Sequence, residues 1–193
     1  MERLRFKIVG ESPLVMHNGQ LADPLNDFSR RIKAISSKRK KVDADFEEMA
    51  RLEWYGGLYV DGQKPCIPAE NMEAALIGKG GAARKERMGA QAAPALFVAD
   101  NAMLEYDGPE DLEQLWEDKR FTYRAKVNVK GNAVMRTRPI FPQWAATVDV
   151  LYNQDLLNGE DIQRWMRIVG EQVGMMERKP QFGRFRVESV QAV

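Results

Sequence analysis

At 193 residues the chain has the length of one domain with a full hydrophobic core. The apolar fraction of 44% and charged fraction of 30% are those of a globular protein, and a formal net charge of +1 excludes a uniformly basic nucleic-acid coat, so any basic footprint is local. Cys66 is the only cysteine and His17 the only histidine, which excludes an intrachain disulfide, a thiolate cluster and a histidine relay.

No apolar run approaches a membrane span, and the first eight residues lack the apolar stretch of a secretory signal, so the expected setting is the reducing cytoplasm. Residues 3–9 alternate as a strand, with Leu4, Phe6 and Ile8 inward and Arg3, Arg5 and Lys7 outward. After a polar loop through His17, the spacing of Leu25, Phe28, Ile32 and Ile35 predicts a helix begun by Pro24. Asp43 opens a second helix bearing Phe46, Met49, Ala50 and Trp54, stopped at Gly56-Gly57. Residues 58–62 read as a short strand and turn. Pro68 precedes a third helix carrying Met72, Ala75 and Leu76. Residues 78–95, small and basic at their centre, read as a mobile insertion loop, and Leu96, Phe97 and Val98 as a strand.

The acidic stretch 107–118 predicts a loop with a short helix. Residues 122–140 form a hairpin, with 123–129 and 134–140 as its strands and Lys130-Gly131-Asn132 as its turn. Residues 144–152 are the clearest strand, placing Trp144, Ala146, Val148, Val150 and Tyr152 on one face. Asn158 caps the clearest helix, with a stripe of Ile162, Trp165, Met166, Val169 and Val173. A last strand holds Phe185 and Val187, with Arg184 and Arg186 outward. No repeat or linker divides the chain, so a single domain over 1–193 is expected.

The expected fold is α+β: a ferredoxin-like or RNA-recognition-motif-like antiparallel sheet with helices on one face and a projecting β-hairpin. Ser12-Pro13-Leu14 closes the first strand, Ile67-Pro68-Ala69 opens a helix running to Ala75-Leu76, and Val169-Gly170 through Gly174 leads to Gly183-Arg184-Phe185. In these features the chain resembles the RAMP superfamily, the backbone subunits of CRISPR effector complexes, with Ala69 where that family prefers glycine. It also resembles small phage-encoded proteins. The resemblance implies that the hairpin acts as a nucleic-acid-gripping thumb. It further implies that an aspartate after the first strand, here Asp23 with His17 and Asp27 nearby, could support metal-dependent RNA cleavage. As a bare sequence feature, Asp23-Pro24 is a helix-start dipeptide.

Three basic constellations carry the functional reading. Adjacent first and last strands would bring Arg3, Arg5 and Lys7 beside Arg184 and Arg186, where guanidinium forks suit phosphate; Asp149 and Glu188 would neutralise part of that face. The hairpin carries Arg124, Lys126 and Lys130, then Arg136 and Arg138, with Tyr123, Phe141 and Trp144 as stacking surfaces or as core. Two loops add Lys38, Arg39 and Lys40, and Arg84 and Lys85. The balancing acids concentrate at 43–53 and 100–118. Nucleophile and phosphate-loop motifs are absent. The expectation is a non-enzymatic, cofactor-free and metal-free binder of single-stranded nucleic acid, of low sequence preference, that self-assembles along the strand. The alternatives are a phage-encoded structural or inhibitory protein that binds another protein complex, and a metal-dependent ribonuclease using Asp23.

Overall fold

The computed structural model describes residues 1–129 and 131–193; the candidate cation Lys130 lies outside the described residues. The protein is a mixed α+β chain with antiparallel sheets, in two compact units. One comprises residues 1–14, 60–107 and 142–193, the other residues 15–59 and 108–141. In chain order the elements are β1 (Glu2–Gly10), β2 (Leu14–Val15), α1 (Asp27–Ser36), α2 (Asp43–Gly57), β3 (Val60–Asp61), β4 (Lys64–Ile67), α3 (Ala69–Ile77), α4 (Ala82–Lys85), α5 (Gly89–Ala92), β5 (Leu96–Val98), β6 (Ala102–Glu105), α6 (Leu112–Glu117), β7 (Thr122–Val129), β8 (Asn132–Phe141), β9 (Ala145–Tyr152), α7 (Gly159–Ile168) and β10 (Phe185–Ala192). No helix among the described residues is long and apolar enough to cross a membrane.

The first unit is built on a sheet in the order β10-β1-β9-β6-β4-β3, with β5 also paired to β9. Alternation in β1 buries Leu4, Phe6 and Ile8, and alternation in β9 buries Ala146, Val148 and Val150. Asn158 Oδ1 accepts from Asp161 N at 2.8 Å and starts α7, which buries Ile162, Trp165 and Met166 before a π-helical turn over Val169–Val173. Residues 78–95 depart from the expected loop: α4 and α5 form there, with Ala82, Ala83, Gly89 and Ala92 buried. Side chains this small let short backbone segments pack closely, an effect invisible to apolar periodicity. Over 58–62 only Val60–Asp61 is strand, and β4 and β6 were not anticipated because each is four residues long, too short for alternation to register.

The second unit holds α1, α2, α6 and the β7–β8 hairpin, whose sheet order is β2-β8-β7, with β2 at the chain's passage between units. Helix α1 begins at Asp27 rather than Pro24, because Asn26 Oδ1 accepts from Phe28 N at 2.9 Å and caps it there. Asp23 Oδ1 accepts from Leu25 N at 2.8 Å, a local turn that ties the aspartate to its own loop. Trp54 of α2 is fully buried and donates from Nε1 to Phe121 O at 2.8 Å. The base of the hairpin is core: Thr137, Arg138, Pro139 and Phe141 are buried.

Candidate nucleic-acid interface

The basic residues chosen from sequence divide between the units and differ in what they meet. In the first unit β1 does pair with β10, but the register sets Lys7 opposite Ser189 and Val9 opposite Arg186. Arg3 is therefore six positions from the level of Arg186, about 20 Å along a strand, so the five expected cations do not form one cluster. Their face also carries acids from neighbouring strands. Arg5 donates to both oxygens of Asp149, at 2.8 and 2.7 Å, Arg3 reaches the same carboxylate at 3.5 Å, and Lys7 pairs with Glu105. Arg186 lies 3.6 Å from Glu188. Arg84 and Lys85 are exposed on α4.

The Arg5 hydrogen bonds, followed by its charge and that of Arg3, hold the Asp149 carboxyl below its ordinary range. A depressed folded value stabilises the protein above the unfolded carboxyl value of about pH 4, and that stability is lost as pH falls through the folded value. Asp149→Asn should therefore lower the melting temperature at neutral pH, and the gap to the parent should close below about pH 4. Thermal melts across that range test it; a gap independent of pH would exclude the ion pair as its source.

In the second unit the register of the hairpin settles the orientation of its cations. Tyr123 faces Arg138, Arg124 faces Thr137, Ala125 faces Arg136 and Lys126 faces Met135. Paired residues share a face, so Arg124 and Lys126 lie on one side of the hairpin and Arg136 and Arg138 on the other. The four cations expected to act together are thus split. Arg138, expected on an exposed face, is buried, and Arg136 Nη1 donates to Glu53 Oε1 at 2.9 Å. Arg124 and Lys126 are exposed and carry no ion pair among the described residues. Lys38, Arg39 and Lys40 are exposed after α1, with Lys38 paired to Asp45.

Of the aromatics weighed as stacking surfaces or as core, Phe141 and Trp144 are core, and Trp144 donates from Nε1 to Ser12 O at 2.9 Å; Tyr123 is half-buried. Instead Phe46, 51% exposed on α2, and half-buried Trp116 of α6 line a cleft of about 620 Å³ that also takes in Arg51, Lys119, Thr122 and Arg124. Lys119 Nζ stands 4.5 Å from the centre of the Trp116 ring. Thr122 Oγ1, on the cleft wall, is buried without a hydrogen-bond partner among the described residues. Glu47 and Glu48 are the acids of the lining; Glu48 is held by Arg31 at 2.9 Å, and Arg51 by Glu113 at 2.9 Å. Among the described residues the cleft thus combines an accessible ring, a hydroxyl with no hydrogen-bond partner and a cation, Arg124, with no acid partner. An apolar-spaced Phe46 on an amphipathic helix gives no sign that it stays exposed, and Trp116 sits in an acidic segment that offers no apolar pattern.

Among the described residues no group of three or more His, Cys, Asp or Glu side chains is placed to hold a metal ion. Cys66 is buried, and burial pushes its thiol up to about 11, away from nucleophilic use at neutral pH. Fold and site together define a mixed α+β protein with a basic, aromatic-lined cleft against an antiparallel hairpin. No protein-family model matches the chain, and no curated protein shows significant similarity to it.

Proposed function

We propose that the protein binds single-stranded nucleic acid, with low sequence preference and without acting on it chemically, through the hairpin face that carries Arg124 and Lys126. The observation that carries this reading is the pairing of two cations, without acid partners among the described residues, with the adjoining cleft of Phe46, Trp116 and Lys119. Backbone phosphates need cations that are not already neutralised, and bases need an accessible ring; stacking on one is worth roughly 1–3 kcal/mol per base. A ferredoxin-like, RNA-recognition-motif-like core is part of the proposal. It is supported by the antiparallel order β10-β1-β9-β6, with α3 on the path from β1 to β6 and α7 on that from β9 to β10. The same order and the glycines at 170, 174 and 183 support a relationship to the RAMP superfamily. Self-assembly along the strand is supported by β10, an eight-residue strand at the end of its sheet path and a surface suited to pairing with a second copy.

Filter binding of oligothymidylate at several salt concentrations tests the proposal. Each phosphate neutralised on a single strand contributes roughly 0.7 to the salt slope, so Arg124→Ala combined with Lys126→Ala should weaken binding and reduce that slope by about 1.4. Arg5→Ala removes one charge from a cation held by Asp149 and should leave the slope at the parent value. A double variant with the parental slope would place the binding surface elsewhere.

A further inference from the structure

Helix α2 grips the hairpin through two consecutive residues. Trp54 Nε1 donates to Phe121 O, just before β7. Glu53 accepts from β8 with both of its oxygens, Oε2 from Thr137 N at 2.8 Å and Oε1 from Arg136 Nη1 at 2.9 Å, and is 7% exposed. All of these residues belong to the second unit. Neighbours along β8 turn to opposite faces, so Glu53 reaches both. Thr137 lines the cleft of Phe46 and Arg124, while Arg136 and Arg138 border a separate cleft of about 380 Å³.

Register and helical period tie this junction to the strand cleft. Thr137 stands directly opposite Arg124 on β7. On α2, Phe46, Ala50 and Glu53 follow at i, i+4 and i+7, one stripe of the helix, and Phe46 and Ala50 line the cleft. Phe46 lies about 10 Å along the helix from Glu53. The exposed ring and the cation are therefore carried by two elements whose separation is set at Glu53. Burial pushes the Glu53 carboxyl up, against the bond from Thr137 N and the charges of Arg136 and Arg138. An apolar residue would pack at such a position with less desolvation, so core packing alone does not call for a carboxylate. What an apolar residue lacks is an acceptor for the Thr137 amide.

We infer that Glu53 is the positioning residue of the strand site: its bond to Thr137 N docks β8 on α2 and so holds Phe46 and Arg124 at a spacing where one strand stacks a base on the ring while its phosphate meets the cation. This role rests on strand binding at the Arg124–Lys126 face, and Glu53 itself touches no ligand. By reciprocity, a strand that bridges α2 and the hairpin stabilises the docked junction by as much as the junction favours the strand.

Filter binding by the full chain of oligothymidylate, and of an abasic strand of equal length with the same sugar-phosphate chain, tests the inference. Glu53→Leu keeps a side chain of similar size at the junction and removes the acceptor. It should weaken oligothymidylate binding about five- to 150-fold, the loss of one stacked base. The salt slope should stay parental, since no phosphate contact is removed. Binding of the abasic strand should match that of the parent. Partial unfolding would weaken both strands alike, and that result would assign Glu53 to stability alone and overturn the inference. Glu53→Gln restores an oxygen acceptor for Thr137 N and should recover oligothymidylate binding. Parental affinity for oligothymidylate in Glu53→Leu overturns the inference, as does a Glu53→Gln variant as weak as Glu53→Leu. Amide exchange on the parent needs no folded variant. The Thr137 amide should exchange more slowly with oligothymidylate bound than with the abasic strand or with none, and equal exchange in all three overturns the inference. Failure of the strand site itself looks different. A parent that does not bind oligothymidylate, or a parental salt slope in the Arg124→Ala, Lys126→Ala variant, removes that site and the role of Glu53 with it.

Discussion

Trp165→Ala should destabilise the protein by about 3–5 kcal/mol, the usual result of truncating a fully buried aromatic in a core that cannot collapse around the void. Trp165 is 0% exposed, on the stripe of α7 shared with Ile162 and Met166. Its Nε1 donates to Glu86 Oε2 at 3.0 Å, and the same carboxylate oxygen accepts from Arg164 Nε at 2.7 Å. The substitution therefore removes a large apolar volume and one of the two donors that hold Glu86 against α7. Equilibrium urea unfolding should show a lower midpoint with an unchanged slope. A variant with the parental midpoint would mean that this face of α7 is not core.

Gly183→Ala should destabilise by at least about 3 kcal/mol, through the backbone rather than through lost burial. Gly183 has φ of +73°, a region that side-chain-bearing residues avoid, and a Cβ built there would stand 2.1 Å from Met175 O. Neither group can step aside easily. Gly183 N donates to Pro13 O at 2.8 Å, and Gly183 O accepts from Met175 N at 3.0 Å, so the residue ties the end of β1 to the turn after α7. Gly19→Ala is the matched comparison, because nothing lies within 4 Å of its Cβ position. Thermal melts should separate the two alanine variants by many degrees; equal melting temperatures would show that the close approach at Gly183 is not limiting.

Gly183 also bears on the family resemblance. The glycines before the last strand carry part of the proposed resemblance, and the structure supplies a local reason for one of them that needs no relationship, a left-handed residue pressed against backbone. The hairpin was legible as two alternating segments, and β7 and β8 do pair from Thr122 opposite Pro139 to Val129 opposite Asn132. Its functional geometry was not legible. Alternation within each strand says that Arg124 and Lys126 agree, and that Arg136 and Arg138 agree, but the relation between the pairs depends on cross-strand register. The observed register opposes them, and so divides one expected cationic surface into two clefts. A warning was present at Glu53, a carboxylate next to Trp54 in the apolar stripe of α2. A charge at such a position calls for a buried partner, although its sequence neighbours do not say which.

Periodicity alone specified the strands β1 and β9, the helix α7 with its Asn158 cap, and which side chains of each turn inward, because burial imposes spacings of two and 3.6 on any segment that covers a core. Composition specified a near-neutral chain whose basic footprint had to be local. Which cations remain for a ligand was beyond both. Arg5 meets Asp149 across 144 positions, Lys7 meets Glu105 across 98, and Arg136 meets Glu53 across 83. Ion pairs at such separations are set by strand order and register, which bring acids from distant segments onto a face that reads as basic in isolation. Among the described residues Arg124 and Lys126 stand out only after that pairing is complete, since a charge becomes available to a ligand through what the fold fails to place beside it.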